Sequence, residues 1–190
     1  MFKIFSKRRQ LTDAALDLYT AVVEQARNPF FYTNAGVPDT PDGRYDMIMI
    51  HAFLLLQRLK IDHPKSEALG QAFFDLMFDD MDQNLREMGA GDVGIGRRIK
   101  DMSSAFYGRI AAYEAGLRTD DGTLAEALER NVYRNNAPSP DNILALTAYV
   151  RAQSAFLEPQ EYDRLDGGHI VFQAPEMLAN RYSDERREGE

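Results

Sequence analysis

Apolar residues recur at helical spacing through almost the whole chain, and the breaks between runs delimit the elements. Leu11, Ala15, Leu18, Val22 and Ala26 lie at steps of four, three, four and four, which predicts a first helix with Thr12 as its cap. Asn28-Pro29 ends it, because Pro29 has no amide to donate. A short aromatic segment follows at residues 30–32. Residues 36–43, GVPDTPDG, are loop chemistry, and Thr40-Pro41 supply a cap and first residue for the next helix. There Tyr45, Ile48, Met49, Ala52, Leu55, Leu56 and Leu59 make one stripe, while Ile50, Phe53 and Leu54 fill the other sides. A helix apolar nearly all round belongs at the centre of a bundle.

His63-Pro64 restarts the chain. Leu69, Phe73, Met77, Met81, Leu85 and Met88 form the next stripe, with Asp75, Asp79 and Asp82 on another face. After a glycine-rich turn, Ile95, Ile99, Met102, Phe106, Ile110, Tyr113 and Leu117 repeat at threes and fours. So short a connection predicts an antiparallel helical hairpin, with Gly89 ending one helix and Asp92 capping the next. Gly122 then precedes TLAE at 123–126, which fits a capping box opening a helix through Leu124, Leu128 and Val132. Ser139-Pro140-Asp141 opens another, through Ile143, Thr147, Val150, Ser154 and Leu157. Residues 169–173, HIVFQ, are β-like but have no alternating segment to pair with, and are read as an extended strap on the bundle. The expected fold is thus all-α: one bundle of six to seven helices over residues 11–175, a basic segment at 1–10, and a charged, disordered tail at 176–190.

Composition narrows the chemistry. With 190 residues one core is available without staples. There is no cysteine, which removes disulfides, thiolate metal sites and cysteine nucleophiles. Of the net charge of −8, residues 1–9 hold Lys3, Lys7, Arg8 and Arg9 with no acid, leaving −12 on the rest. Such a body repels nucleic acid, so no direct nucleic-acid partner is expected. The longest uncharged runs, residues 28–38 and 47–57, have 11 residues each, short of the roughly 20 that span a bilayer. Asp13, Asp17 and Glu24 interrupt any secretory run. The expected location is cytoplasmic. Phe2, Ile4 and Phe5 among the terminal cations offer a foothold on anionic lipid, with a frayed soluble terminus as the alternative.

Residues 89–94, GAGDVG, satisfy the dinucleotide fingerprint by letter. That motif needs a strand to deliver the glycines beside a parallel sheet, and here they follow a helix. Gly89 and Asp92 read better as helix caps. Arg97, Arg98 and Lys100 form an anion or headgroup patch or a solvated face. The Asp75, Asp79, Asp82 row could in principle hold metal, but carboxylate bundle sites use Glu-x-x-His pairs, and none is present. An Asp82–Arg86 pair at i, i+4 accounts for part of the row. His51, in the most apolar helix, reads as a hydrogen-bonded core histidine. Ser103 and Ser104 lack an elbow motif, so no triad is expected.

The wording of GVPDTPDGRYDM at 36–47, MFDDMDQNLREMGAGD at 77–92, KDMSSAFYGRIAAYEAGL at 100–117 and ALERNVY at 127–133 resembles the ubiquinol-cytochrome c chaperone family. The resemblance covers roughly residues 10–175, and the chain is similar to the shorter bacterial members. It implies an all-helical, non-enzymatic assembly chaperone without a cofactor. The implied client is newly synthesised cytochrome b of complex III, with ribosome and anionic membrane surface as further contacts, on the cytoplasmic face of the inner membrane. Motif residues carried over by position include Asp82, Arg86, Asp92, Lys100, Tyr107, Gly108, Arg109 and Tyr113, the candidate client surface. Lys3, Lys7, Arg8, Arg9, Arg97 and Arg98 are the candidate membrane patch. A metal-carboxylate bundle enzyme and a peripheral lipid-binding adaptor stand as the alternatives.

Overall fold

A computed structural model describes residues 2–87, 92–134 and 136–177, without the side chains of 2–7, 92, 93 and 95. Helix α1 spans Phe2–Ala26, α2 Phe30–Thr33, α3 Pro41–Lys60, α4 Glu67–Glu87, α5 Asp92–Arg118, α6 Thr123–Leu128, α7 Pro140–Leu157 and α8 Tyr162–Asp166. α6 widens into a π-helical turn over Glu129–Tyr133. The six expected segments all carry helices, and α2 and α8 add about a turn each. The strap at 169–174 is extended, as its β-like composition without a partner predicts.

Twelve of the twenty residues of α3 are buried, which makes it the axis of the bundle. Its start follows the expected chemistry: the Thr40 hydroxyl accepts the Gly43 amide at 3.1 Å, and Pro41 fills the first helical position. Ser139 and Asn142 cap α7 reciprocally. Two other expected caps are corrected. α1 begins at Phe2, since residues 2–11 contain no helix breaker, and mid-helix Thr12 returns its hydroxyl to Arg8 O at 3.1 Å. At α6 no capping box forms. Asp121 accepts from the Thr123 amide (3.1 Å) and hydroxyl (2.5 Å), while Gly122 takes φ +91° at the cap. The Gly89 stop and residues 178–190 of the tail lie outside the described residues, while Glu176 and Met177 at its start are in a helical turn. Asp92 opens α5 as its first helical residue, not as a described cap.

Arg109 meets Asp46 near the start of α3, and Glu114 meets Lys60 at its end, so α5 runs parallel to α3. Phe74 against Tyr107 and Phe78 against Phe106 set α4 antiparallel to α5, confirming the hairpin. α8 lies at the α3–α4 turn, where Lys65 pairs with Asp163. A Cβ on Gly168 would touch Asp17 and Ala14 of α1. Further along α1, Tyr19 reaches Asp80 at 2.8 Å, so α1 runs with α4.

α5 and α6 close on each other at Gly116, where a Cβ would stand 2.5 Å from Leu124 Cα. Backbone cannot yield there. Gly116→Ala is expected to lower the unfolding free energy by about 2–3 kcal/mol in a denaturant titration, whereas Gly94→Ala on the same helix, with open space around it, should not.

Candidate functional site

The outer side of α5 concentrates the features sought in the sequence. Phe106 is fully buried beneath Phe74 and Phe78, at ring separations of 6.2 and 6.3 Å. The next residue, Tyr107, is 59% exposed, with its ring 5.5 Å from Phe74. Phe74 thus holds a large aromatic group in water. Beside it Ser104, Gly108, Ala111 and Ala115 are all exposed, at steps of four, three and four, and form one strip of small residues along the helix. Nothing lies within 4 Å of where a Gly108 Cβ would stand. Arg97, Arg98 and Lys100 are exposed on the preceding turns. On α4, Arg86 Nε pairs with Asp82 at 2.6 Å, as the i, i+4 spacing predicts.

Two expected client-surface residues belong elsewhere. Tyr113 is only 1% exposed, its ring 5.4 Å from Phe53, so it serves the core; it also sits in the apolar stripe of α5. Arg109 turns inward, with Nη1 2.6 Å from Asp46 Oδ1. The cations likewise do not make one patch. Arg8 and Arg9 precede Ala14 and Asp17 on α1, at the end of the bundle where α4 begins. Arg97, Arg98 and Lys100 stand where α4 ends. The side chains of Lys3 and Lys7, and that of Asp92, lie outside the described residues.

Asp46 is the polar centre missed in the sequence. It is 1% exposed, and its Oδ1 accepts from both Arg109 (2.6 Å) and Arg134 Nη2 (2.7 Å), while Oδ2 is buried without a partner among the described residues. Arg134 also lies 3.6 Å from Asp42. It follows the π-helical turn in the left-handed region, at φ +50°, which is uncommon for a residue with a Cβ and aims the guanidinium back at α3. α3, α5 and the end of α6 are thereby tied to one carboxylate. The signal was present: an aspartate between Tyr45 and Met47 on a helix apolar nearly all round needs a cation.

His51 is the buried core histidine its surroundings predict. Met47 O can only accept, so Nδ1 carries the proton donated to it (2.7 Å), and Nε2 accepts from the Tyr149 hydroxyl (2.8 Å). Gln25 Nε2 donates to that hydroxyl in turn at 2.9 Å.

Asp46 and His51 respond to acid with opposite sign. Burial lifts the Asp46 carboxyl from 3.8 to about 6 against the pull of Arg109 and Arg134. The folded chain takes this proton before the unfolded one, so Asp46 adds stability as pH falls from 7 to 4. Burial depresses the His51 imidazole from 6.5 to about 4, so here the unfolded chain protonates first and stability falls over the same window. The two nearly cancel. Asp46→Asn should therefore lose about 2 kcal/mol more than the unaltered chain between pH 7 and 4, read by urea unfolding at each pH.

Among the described residues no group of three or more histidines and carboxylates could hold a metal, and no helix is long and apolar enough to cross a membrane. Asp75 accepts from Gln71 instead, at 2.6 Å. A cleft of about 530 Å³ opens between the ends of α3 and α5 and α7, lined among others by Lys60, Glu114, Arg118 and Arg151. Four of its charged residues form ion pairs, Lys60–Glu114 at 2.8 Å, Arg118–Glu114 at 3.6 Å and Arg151–Asp120 at 3.6 Å, and Glu158 lines it too.

The family described as ubiquinol-cytochrome C chaperone matches residues 33–172, a span that includes Asp46, His51 and the whole of α5. The chain belongs to this family. A crystal structure of the Cbp3 homolog from Brucella abortus superposes with a TM-score of 0.81 at 36% identity, covering 92% of this chain and 97% of that one. The Xenopus laevis protein named ubiquinol-cytochrome-c reductase complex assembly factor 1 is 30% identical over 158 residues, 83% of this chain and 76% of its own. The mouse protein of that name is 28% identical over 145 residues, and the match spans 49% of its length. The family resemblance and the all-helical fold read from the sequence are both confirmed, and the family is one of chaperones.

Proposed function

We propose that this member of the ubiquinol-cytochrome C chaperone family assists assembly of the ubiquinol-cytochrome c reductase complex by holding newly made cytochrome b against the outer face of α5. The observation that carries the site is Tyr107, kept 59% exposed by Phe74 beside the strip of Ser104, Gly108, Ala111 and Ala115. Small residues let a second helix approach closely, and an aromatic side chain at the edge supplies contact area at little entropic cost. Arg97 and Lys100 extend that face toward polar or anionic groups of the client. The site is open, and so suits a client that must later leave.

The functional test is deletion of the gene followed by measurement of haem-loaded complex III in the membrane. A several-fold fall, restored by the unaltered chain, is the expected result; normal levels contradict the reading.

A further inference from the structure

Residues 169–174 run extended after α8, and three glutamine side chains meet their backbone where a neighbouring strand would. Gln160 donates Nε2 to Val171 O at 2.6 Å and accepts the Val171 amide on Oε1 at 3.0 Å, the pair of bonds a strand partner makes. Two residues on, the Gln173 amide donates to Gln153 Oε1 at 3.1 Å and Gln173 O accepts from Gln25 Nε2 at 3.0 Å. Side chains alternate as in a strand. Ile170 and Phe172 are half-buried, His169 and Val171 exposed, and Phe172 stands edge-on to His51 at 5.5 Å.

We propose that the groove under this strap, between α1, α3 and α7, is a binding site for an extended, proline-free segment of another polypeptide with apolar residues at alternate positions, and that the strap is its internal occupant. Three features favour such an occupant. On the strap the glutamines bond only backbone groups, so any extended non-proline segment satisfies them. Only alternate side chains enter the groove. Gln153, fully buried, leaves Nε2 without a partner among the described residues, an unused donor in the floor. A tethered strap competes at an effective concentration of order millimolar, so weak segments are excluded and better-fitting ones displace it. This site is separate from the α5 face, and only the identity of its natural occupant rests on the chaperone reading.

The test uses the whole chain and a fluorescein-labelled peptide of residues 166–177, DGGHIVFQAPEM, read by anisotropy. Phe172→Ala weakens the strap but leaves the groove and the peptide intact. It should bind the peptide at least tenfold more tightly than the unaltered chain, and adding Gln160→Ala should abolish that gain. In the unaltered chain, hydrogen exchange at the Val171 and Gln173 amides should run at least a hundredfold faster than at Ile50, because the strap opens without unfolding α3. Binding no tighter to Phe172→Ala, a gain indifferent to Gln160→Ala, or strap amides as protected as Ile50 would each overturn the proposal. None of these outcomes involves cytochrome b, so failure here leaves the α5 reading to its own tests.

Discussion

Asp46→Ala is expected to cost about 3–5 kcal/mol of stability at pH 7, a large share of what a domain of this size holds. The carboxyl, though shifted up to about 6, is still mostly ionised there, so both arginine pairs are in place. Removing it strands Arg109, whose side chain is 14% exposed and which pairs with Asp46 at 2.6 Å. Arg134, at 37% exposure and 3.6 Å from Asp42, can turn to solvent or to that second acid, and Arg134→Ala should cost less, about 1–2 kcal/mol. Asp46→Asn keeps one acceptor and, uncharged like the protonated carboxyl that burial favours in the fold, should cost least of the three. Urea titrations at pH 7 rank the three. An Asp46→Ala chain within 1 kcal/mol of the unaltered one would show that the carboxylate does not hold α5 and the end of α6 to α3.

The second large effect concerns function without stability. Tyr107→Asp removes an exposed ring whose burial under a client supplies roughly 2–3 kcal/mol, so client affinity should fall on the order of 30- to 100-fold. Because Tyr107 and Gly108 both face outward, thermal unfolding of Tyr107→Asp should be almost unchanged. Gly108 sharpens the test. With open space at its Cβ position, Gly108→Ala should stabilise the folded chain by about 1 kcal/mol. Gly108→Gln, equally harmless to the fold, fills the strip and should lower haem-loaded complex III several-fold. If Gly108→Gln supports full assembly, no helix packs closely on this strip.

Sequence periodicity reached the helices but not all of their ends. α3 was legible because its apolar residues cover every side, and Thr40-Pro41 and Ser139-Pro140 announced their helices by chemistry that acts within four residues. Thr12 misled, since a threonine at the start of an apolar stripe looks the same whether or not the helix has already begun at Phe2. Thr123 misled because Asp121, two residues back, captures both its amide and its hydroxyl. The site divided in the same way. Tyr107 and Gly108, an aromatic and a glycine in mid-helix without a core role, stood out and are exposed. Arg109 and Tyr113 stood out for the same motif but face inward, because the polar residue that draws Arg109 in, Asp46, is 63 positions away. Side-chain pairing at that separation leaves no periodic trace. The glutamine contacts to the strap, joining Gln25 to Gln173 across 148 positions, are illegible for the same reason.

The central claim is that the outer face of α5 touches cytochrome b while it is being assembled, and a photo-crosslinking residue at position 107 tests it most directly. In membranes actively making complex III, irradiation should join the chain to newly made cytochrome b, whereas the same residue at Leu16, 50% exposed on α1, should capture far less. Absence of cytochrome b from the position 107 adducts, in a variant that still supports assembly, would contradict the account.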